Sequence, residues 1–324
     1  MKALVLQKKK GLPFYTQEAE LNSEGSEGIV VDLHYSALNR RDYWITQGLY
    51  PGIKEGVILG SDGVGYYNGK RVIINPGLDW GNDERCQSER FHVLGLPSDG
   101  TFASKVVVPK ENVYHAPKHL SDVEAASLPL AGLTAYRVLF SRCQLQSGDN
   151  VLISGVGGGV AHYALLFAVA AGANVIVTSS SEEKIGKAIE LGAQHGVDYT
   201  GENWVNECKS IVPDGFDVII DSAAGDGFQN FIKLSSAGGR IGIYGGTRGP
   251  ITNVNPQILF WRQISILGST MGSPSDFSKM LHFVEHHSIK PVIDAVFPMS
   301  DYAQAFERIA ETRQFGKIVL DNGS

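Results

Sequence analysis

Cysteine is scarce in this chain. Cys86, Cys143 and Cys208 are odd in number and far apart, which excludes a disulfide framework and a Cys-x-x-Cys metal pair. All three are expected to be reduced thiols. Positive charge is equally thin: 28 Lys and Arg face 34 Asp and Glu, for a net charge of −6, so nucleic acid is not an expected partner. The single basic run, Lys8-Lys9-Lys10, reads as a solvated turn. No apolar run is long enough to span a membrane, and the opening MKALVLQKKK lacks a long apolar core followed by a cleavage site. The expectation is a cytoplasmic protein with no membrane partner. Low complexity and internal repeats are absent too. At 324 residues the chain is too long for one typical core, so two domains are expected.

What is present is organised around residues 151–184. The apolar run VLISG breaks into glycines at Gly155, Gly157, Gly158 and Gly159. A long apolar helix pattern follows, then Gly172, then a second apolar run that ends in serines. Strand, glycine turn, helix and strand form the setting in which bare backbone approaches a pyrophosphate and a helix N-terminus offers its free N–H groups.

Before this stretch, residues 1–120 read as short strands separated by Gly and Pro, among them MKALVL, GIVVDLHYSALN, GVGYY, KRVIINP and TFASKVVVP. Residues 77–98 are polar and weakly patterned, as in a surface loop or lobe. Ser121 to Glu124 is a capping box that opens a helix. Pro129 is expected to break that helix, with another beginning near Leu133. From Asn150 onward strands and helices alternate: VLISG, NVIVTS, a short VDY, DVIIDSA, RIGIYGG and SILGST. Six strands with intervening helices match the two halves of a doubly wound parallel sheet of Rossmann type, an α/β fold. A helix is expected from Ser275 to His287. The tail then alternates again through PVIDAVFP, a helix from Ser300 and KIVLDN, which suggests a return to the first domain.

The end of the second strand sets the cofactor. A carboxylate there would bind the ribose 2′-OH of NAD. This strand ends Thr178-Ser179-Ser180-Ser181, with no acid, and Lys184 follows one helical turn later. Small hydroxyls leave room for a 2′-phosphate and can donate to it, so NADP(H) is favoured over NAD. Ser180 or Ser181 can also cap the following helix.

These segments together are similar to the medium-chain dehydrogenase/reductase superfamily, in its zinc-lacking, quinone-oxidoreductase-like branch. The resemblance rests on ALNRRDYWITQGLYPG, VILGSDGVG, DGTFASKVVVP, AASLPLAGLTAYRVL, GVGGGVA, TSSSEEK, DVIIDSAAG, GGRIGIYGG and FGKIVL, and so covers nearly the whole chain. It implies a GroES-like β-rich domain of residues 1–122 with 290–324 and a Rossmann NADP-binding domain of residues 123–289. It also implies cofactor contacts at Thr134, Gly158, Gly159, Val160, Ser222, Ala223, Tyr244, Gly245 and Lys317. Ser179, Ser180, Lys184 and Tyr199 would gather at the 2′-phosphate. Ala161 departs from the glycine of many relatives but is small enough to keep helix and strand close. A homodimer through SILGST is a further implication.

Zinc-dependent relatives carry Cys, His-Glu and Cys or Asp where this chain has Asn39, Ser61-Asp62 and Leu130. Asn39, Ser61 and Leu130 do not supply the three deprotonated N, S or O ligands that catalytic zinc requires, and the region of the structural zinc lobe holds only Cys86. His282 and His286 share one helix face without a third ligand. No metal is expected. Substrate polarisation then falls to hydrogen bonds, which suits quinones and enones, whose anionic intermediates are delocalised. The resemblance points to Asn39, whose amide can donate, and to Tyr50, a phenolic proton donor at neutral pH. Trp44 would form an apolar wall, Ser61 could hold substrate or water, and Arg40, Arg41 and Asp42 read as a structural charge cluster. Three readings stay open at this point: an NADPH-dependent quinone or enone reductase, a zinc-independent alcohol or aldehyde oxidoreductase, and a non-catalytic NADPH-binding protein.

Overall fold

The structure is a computed structural model that describes residues 1–8, 10–21 and 28–323. Lys9, residues 22–27 and Ser324 lie outside the described residues, so the reading of Lys8-Lys9-Lys10 as a turn is covered only in part. The chain divides into two compact units, Met1–Leu133 with Gly272–Ser324 and Thr134–Met271.

The first unit is built from short strands, as the Gly and Pro punctuation predicts. In chain order these are β1 (Ala3–Val5), β2 (Phe14–Thr16), β3 (Ile29–Ala37), β4 (Asp62–Tyr67), β5 (Lys70–Ile74), β6 (Gly77–Leu78), β7 (His92–Val93), β8 (Lys105–Val108) and β9 (Val113–His115). Helix α1 (Arg40–Thr46) interrupts them after β3, and α2 (Asp122–Ala126) and α3 (Pro129–Tyr136) follow. The Ser121–Glu124 capping box opens α2, but Pro129 opens α3 and does not break α2. A proline at the first helical position gives up an N–H that would have no helical partner there. Residues 77–98 form a lobe with an apolar centre. β6 pairs with β7, and Trp80, 3% exposed, meets Phe91 edge-on with ring centroids 5.2 Å apart.

The second unit carries β10 (Asn150–Ile153), α4 (Gly159–Ala170), β11 (Asn174–Ser179), α5 (Glu182–Glu190), β12 (His195–Asp198), α6 (Trp204–Ile211), β13 (Phe216–Asp221), α7 (Gln229–Leu234), β14 (Ser235–Ile243), α8 (Pro256–Arg262) and β15 (Ser265–Gly268). All six strands are parallel, in the order β12-β11-β10-β13-β14-β15. That is the doubly wound order, which reverses beside β10. Val151, Leu152 and Ile153 of β10 are fully buried, as a strand covered on both faces must be.

The tail, α9 (Pro274–His286), β16 (Ile293–Pro298), α10 (Tyr302–Ala310) and β17 (Lys317–Asp321), belongs to the first unit. β17 pairs antiparallel with β3, and the larger sheet runs β16-β17-β3-β4-β5-β9, with β8 also on β3. This division falls between Leu133 and Thr134 and between Met271 and Gly272, so α9 lies in the first unit. There Phe277 packs against Tyr114 with the rings tilted and their centroids 4.8 Å apart, and Ser273 bonds to Glu84. The apolar core under β17 gathers Leu4, Leu6, Ile45, Leu59, Phe102, Phe306 and Leu320. Among the described residues no helix is long and apolar enough to cross a membrane, and all three cysteines are free thiols.

Candidate active site

Asn39 is the second residue after β3 and caps α1, whose Asp42 reaches back to the Asn39 backbone N–H at 2.8 Å. Just before it, Leu38 donates its N–H to the carbonyl of Ile318 on the neighbouring strand β17 at 2.9 Å, which brings Lys317 beside Asn39. The Lys317 ammonium donates to Asn39 Oδ1 at 2.7 Å and to Asp62 Oδ2 at 2.9 Å. Asn39 Nδ2 donates to the same Asp62 oxygen at 2.9 Å, and the Leu130 N–H donates to Asp62 Oδ1 at 2.7 Å. Lys317 and Asp62 are 2% and 0% exposed. Lysine has only donors and an ionised carboxylate only acceptors, so the Asn39 amide has one possible orientation. Its oxygen is committed to Lys317, and one of its two amide hydrogens remains for another acceptor.

A second cluster lies beside the first. Arg41 Nη1 donates to Ser61 Oγ and to the Leu94 carbonyl, both at 2.7 Å, and Ser61 Oγ donates to the same carbonyl at 2.8 Å. The Arg41 guanidinium also covers the half-buried Tyr50 ring, 5.2 Å from its centroid. Tyr50 packs on the Leu4–Phe306 core. Asn39 and Tyr50 thus belong to one unit, each fixed by a cation. Arg40 takes the structural part expected for it, with Nη1 on the Ile309 carbonyl at 2.6 Å, and Trp44 packs on Tyr43 at 5.3 Å.

In the second unit, β10 leads through Ser154 into Gly155, at φ +65°, and Gly158 caps α4. A Cβ on Gly155 would meet only open space, whereas one on Gly157 would lie 3.0 Å from Lys184 Nζ. Bare backbone at a helix N-terminus, with an ammonium alongside, suits a dinucleotide phosphate. Gly159 and Val160 form the first turn of α4. Ser179 is buried at the end of β11, Ser180 is exposed, and Ser181 caps α5 by accepting from the Lys184 N–H at 3.4 Å. Glu183, one of two acids nearby, is held by Lys187 at 2.5 Å. Tyr199 donates its N–H to the Ser179 carbonyl at 3.2 Å. Asp221, fully buried, orders the loop of Ser222 and Ala223: it accepts from Ser154 Oγ at 2.6 Å, from Ala223 N–H at 3.2 Å and from Ala224 N–H at 2.7 Å. Burial drives the Tyr244 phenol well above its usual range, with the Ser222 side chain opposing. Gly245 passes so close to Ser222 that a Cβ would lie 2.8 Å from its carbonyl oxygen. Thr134 is buried at the start of this unit.

Sequence reading missed Asp62, Asp221 and the tie between Lys317 and Asn39. A signal was present for each: an acid or lysine inside VILGSDGVG, DVIIDSAAG or FGKIVL is a charge among small and apolar residues and requires a partner. Among the described residues no group of three His, Cys, Asp or Glu is arranged to hold a metal.

With this geometry in view, the relatives are informative. The alcohol dehydrogenase GroES-like domain family matches residues 25–118, and the zinc-binding dehydrogenase family matches residues 159–286. The zinc-type alcohol dehydrogenase-like protein YogA of Leptosphaeria maculans is 33% identical over 97% of this chain and 96% of its own. The quinone oxidoreductase of Mus musculus is 32% identical over 68% of this chain and 69% of its own. A crystal structure of an NAD-dependent alcohol dehydrogenase superposes with a TM-score of 0.92 at 35% identity, covering 100% of both chains. The chain belongs to the medium-chain dehydrogenase/reductase superfamily and is an oxidoreductase of that type, a family in which nicotinamide-dinucleotide binding is expected.

Asp42 gives this site a pH signature. It is fully buried, and its Oδ1 has no partner. Burial pushes its carboxyl up to about 6, against the pull of the Arg41 guanidinium and the Asn39 N–H. An unfolded chain titrates near 3.9, so the folded state holds an extra proton between the two values. Asp42 therefore contributes stability that is complete below about pH 4 and is lost as the pH rises through about 6. Asp42→Asn keeps an acceptor for the Asn39 N–H and removes the titration. Urea unfolding should show the variant gaining on wild type by up to about 3 kcal/mol from about pH 4 to about pH 7. A difference that stays constant over this range would contradict the assignment.

Proposed function

We propose that the chain is an NADPH-dependent, zinc-independent oxidoreductase that passes hydride to a quinone or an α,β-unsaturated carbonyl compound. The observation that carries this reading is the buried Lys317 ammonium, 2.7 Å from Asn39 Oδ1 and 2.9 Å from Asp62 Oδ2. Asn39 and Asp62 stand where zinc-dependent relatives have Cys and Glu. A zinc ion there would face a buried like charge, and amide, hydroxyl and alkyl groups would replace its usual ligands. The serines that end β11, with Lys184 beside Gly157, support a 2′-phosphate and so NADPH.

When bound, the reduced nicotinamide supplies the hydride. The chain contributes the rest. Asn39 has one oriented N–H for an oxygen on which negative charge develops, and Lys317 polarises that amide from its oxygen side. The Tyr50 hydroxyl supplies the proton, and Arg41 holds the ring that carries it. The substrate class follows from the strength of the donor. One amide N–H stabilises the delocalised oxygen of an enolate or a hydroquinone anion far better than it replaces a metal on a localised alkoxide. Zinc-independent alcohol or aldehyde oxidation is the second reading, favoured by the 35% identity to a structure named as an NAD-dependent alcohol dehydrogenase.

Dimerisation is part of the proposal, as is a cytoplasmic setting. β15 is an edge strand with Ile266 37% exposed, and Trp261 and Phe260 on α8 are 82% and 66% exposed. An open edge beside large exposed apolar groups favours a second copy of the chain. Light scattering should give twice the 35.0 kDa chain mass, and Ile266→Lys should return the monomer. A wild-type monomer would refute this part.

Chelator-dialysed protein should oxidise NADPH with a member of a quinone and enone panel, and the enone product should be the saturated carbonyl. Asn39→Ala should lower kcat by about 100-fold. Absence of turnover across the panel would overturn the proposal, and reduction of a saturated aldehyde to an alcohol in its place would favour the second reading.

A further inference from the structure

The loop that follows β14 carries an arginine to which the preceding chemistry gives no task. Its backbone is laced to the loop after β13. Tyr244 N–H donates to the Asp221 carbonyl at 3.1 Å, Thr247 N–H to Ser222 at 3.3 Å, and Arg248 N–H to Ala223 at 2.8 Å. Gly225 N–H returns a bond to the Gly249 carbonyl at 3.1 Å. These bonds fix where the Arg248 side chain starts. Its end lies far along the sheet: the guanidinium covers the ring of Tyr199, 5.7 Å from the centroid. β13, β10 and β11 lie between β14 and β12 in the sheet, so the loop after β14 and this side chain together bring a residue from one half of the sheet against the residue that follows β12 in the other. Tyr199 is tied by its N–H to Ser179, the last residue of β11.

Arg248 is exposed and makes no ion pair among the described residues. Three acids of this edge are otherwise engaged. Glu183 holds Lys187, Asp198 accepts from the Thr200 N–H and hydroxyl at 2.8 and 2.7 Å, and Asp226 bonds to Thr252. A guanidinium over an aromatic ring is held there by the ring's negative face and keeps its N–H groups for an acceptor. The matching acceptor is a phosphomonoester dianion, which takes two parallel N–H bonds from a guanidinium fork. Ser179 and Ser180 mark the ribose end of the cofactor path beside it.

We infer that Arg248 is a specificity-determining residue of the cofactor site, which clasps the adenosine 2′-phosphate while stacked on Tyr199. This rests on the NADPH reading above and adds to it a cation that arrives from the opposite half of the sheet. The clasp acts on the phosphate alone, so it separates NADPH from NADH and leaves the hydride step untouched.

Fluorescence titration of wild type, Arg248→Gln, Arg248→Lys and Tyr199→Leu with NADPH and NADH tests it. The fragments 2′,5′-ADP and 5′-AMP serve as competitors that lack the nicotinamide. Arg248→Gln should weaken NADPH and 2′,5′-ADP by about 10- to 30-fold and change NADH and 5′-AMP by less than about 2-fold. Arg248→Lys should restore only part of the loss, because lysine has neither the fork nor the flat face. Tyr199→Leu should weaken the same two phosphate ligands by a smaller factor. Wild type that prefers NADPH, with Arg248→Gln losing nothing or losing equally on all four ligands, overturns the role of Arg248 and leaves the NADPH reading intact. Wild type that prefers NADH overturns both.

Discussion

A lysine ammonium cannot stand alone in an apolar interior, because stripping its water costs several kcal/mol that a neighbour must return. In this protein the neighbours of Lys317 are Asp62 and Asn39, and the three are satisfied only as a set. Asp62 has no exposure and accepts from Lys317, from the Asn39 amide and from the Leu130 N–H. The constraint reaches beyond charge. Lys317 comes from the last strand of the chain, Asn39 and Asp62 from the early strands, and the β17–β3 pairing is what lets them meet. Closing the first unit with the tail and orienting the amide of Asn39 are therefore one event.

The second unit uses a buried carboxylate in a comparable way. Asp221 ends β13 and binds Ser154 at the end of β10 together with two amides of its own loop. The end of the first strand and the turn after the fourth are thereby fixed at the point where strand order reverses, where dinucleotides bind in this architecture. Each unit thus places its polar chemistry with an acid that water does not reach, and both acids lie in stretches of small and apolar residues. Such sites are costly to misplace, since an unpaired carboxylate is the alternative.

Much of the fold was legible in the sequence because its signals are local. Glycine turns, a capping box, apolar runs of strand length and serines after β11 each announce themselves within a few residues. Pro129 was misread because a proline both ends one helix and starts the next, and only the Ser127–Leu128 break between α2 and α3 decides which it does here. The contacts of α9 are not legible locally, because this capped, amphipathic helix looks like any helix of an α/β domain while its partners, Tyr114 and Glu84, lie far back in the chain. The site was legible by residue type but not by connection. Asn39 and Tyr50 stand out as donors, yet Lys317 lies 278 residues from Asn39, and Arg41, which covers Tyr50, is held by Ser61 and Leu94 from two other loops. No local pattern reports a hydrogen bond of that separation.

The claim that Lys317, Asp62 and Asn39 act as a single unit is most directly tested by a double-mutant cycle on stability, with Lys317→Met, Asp62→Asn and the two together. Each single change leaves one buried group without its counterpart and should cost about 3–5 kcal/mol in urea unfolding. The double variant removes both charges and should cost clearly less than the sum, with a coupling of at least about 2 kcal/mol. Losses that simply add would mean that the ammonium and the carboxylate are independent, and would contradict the account.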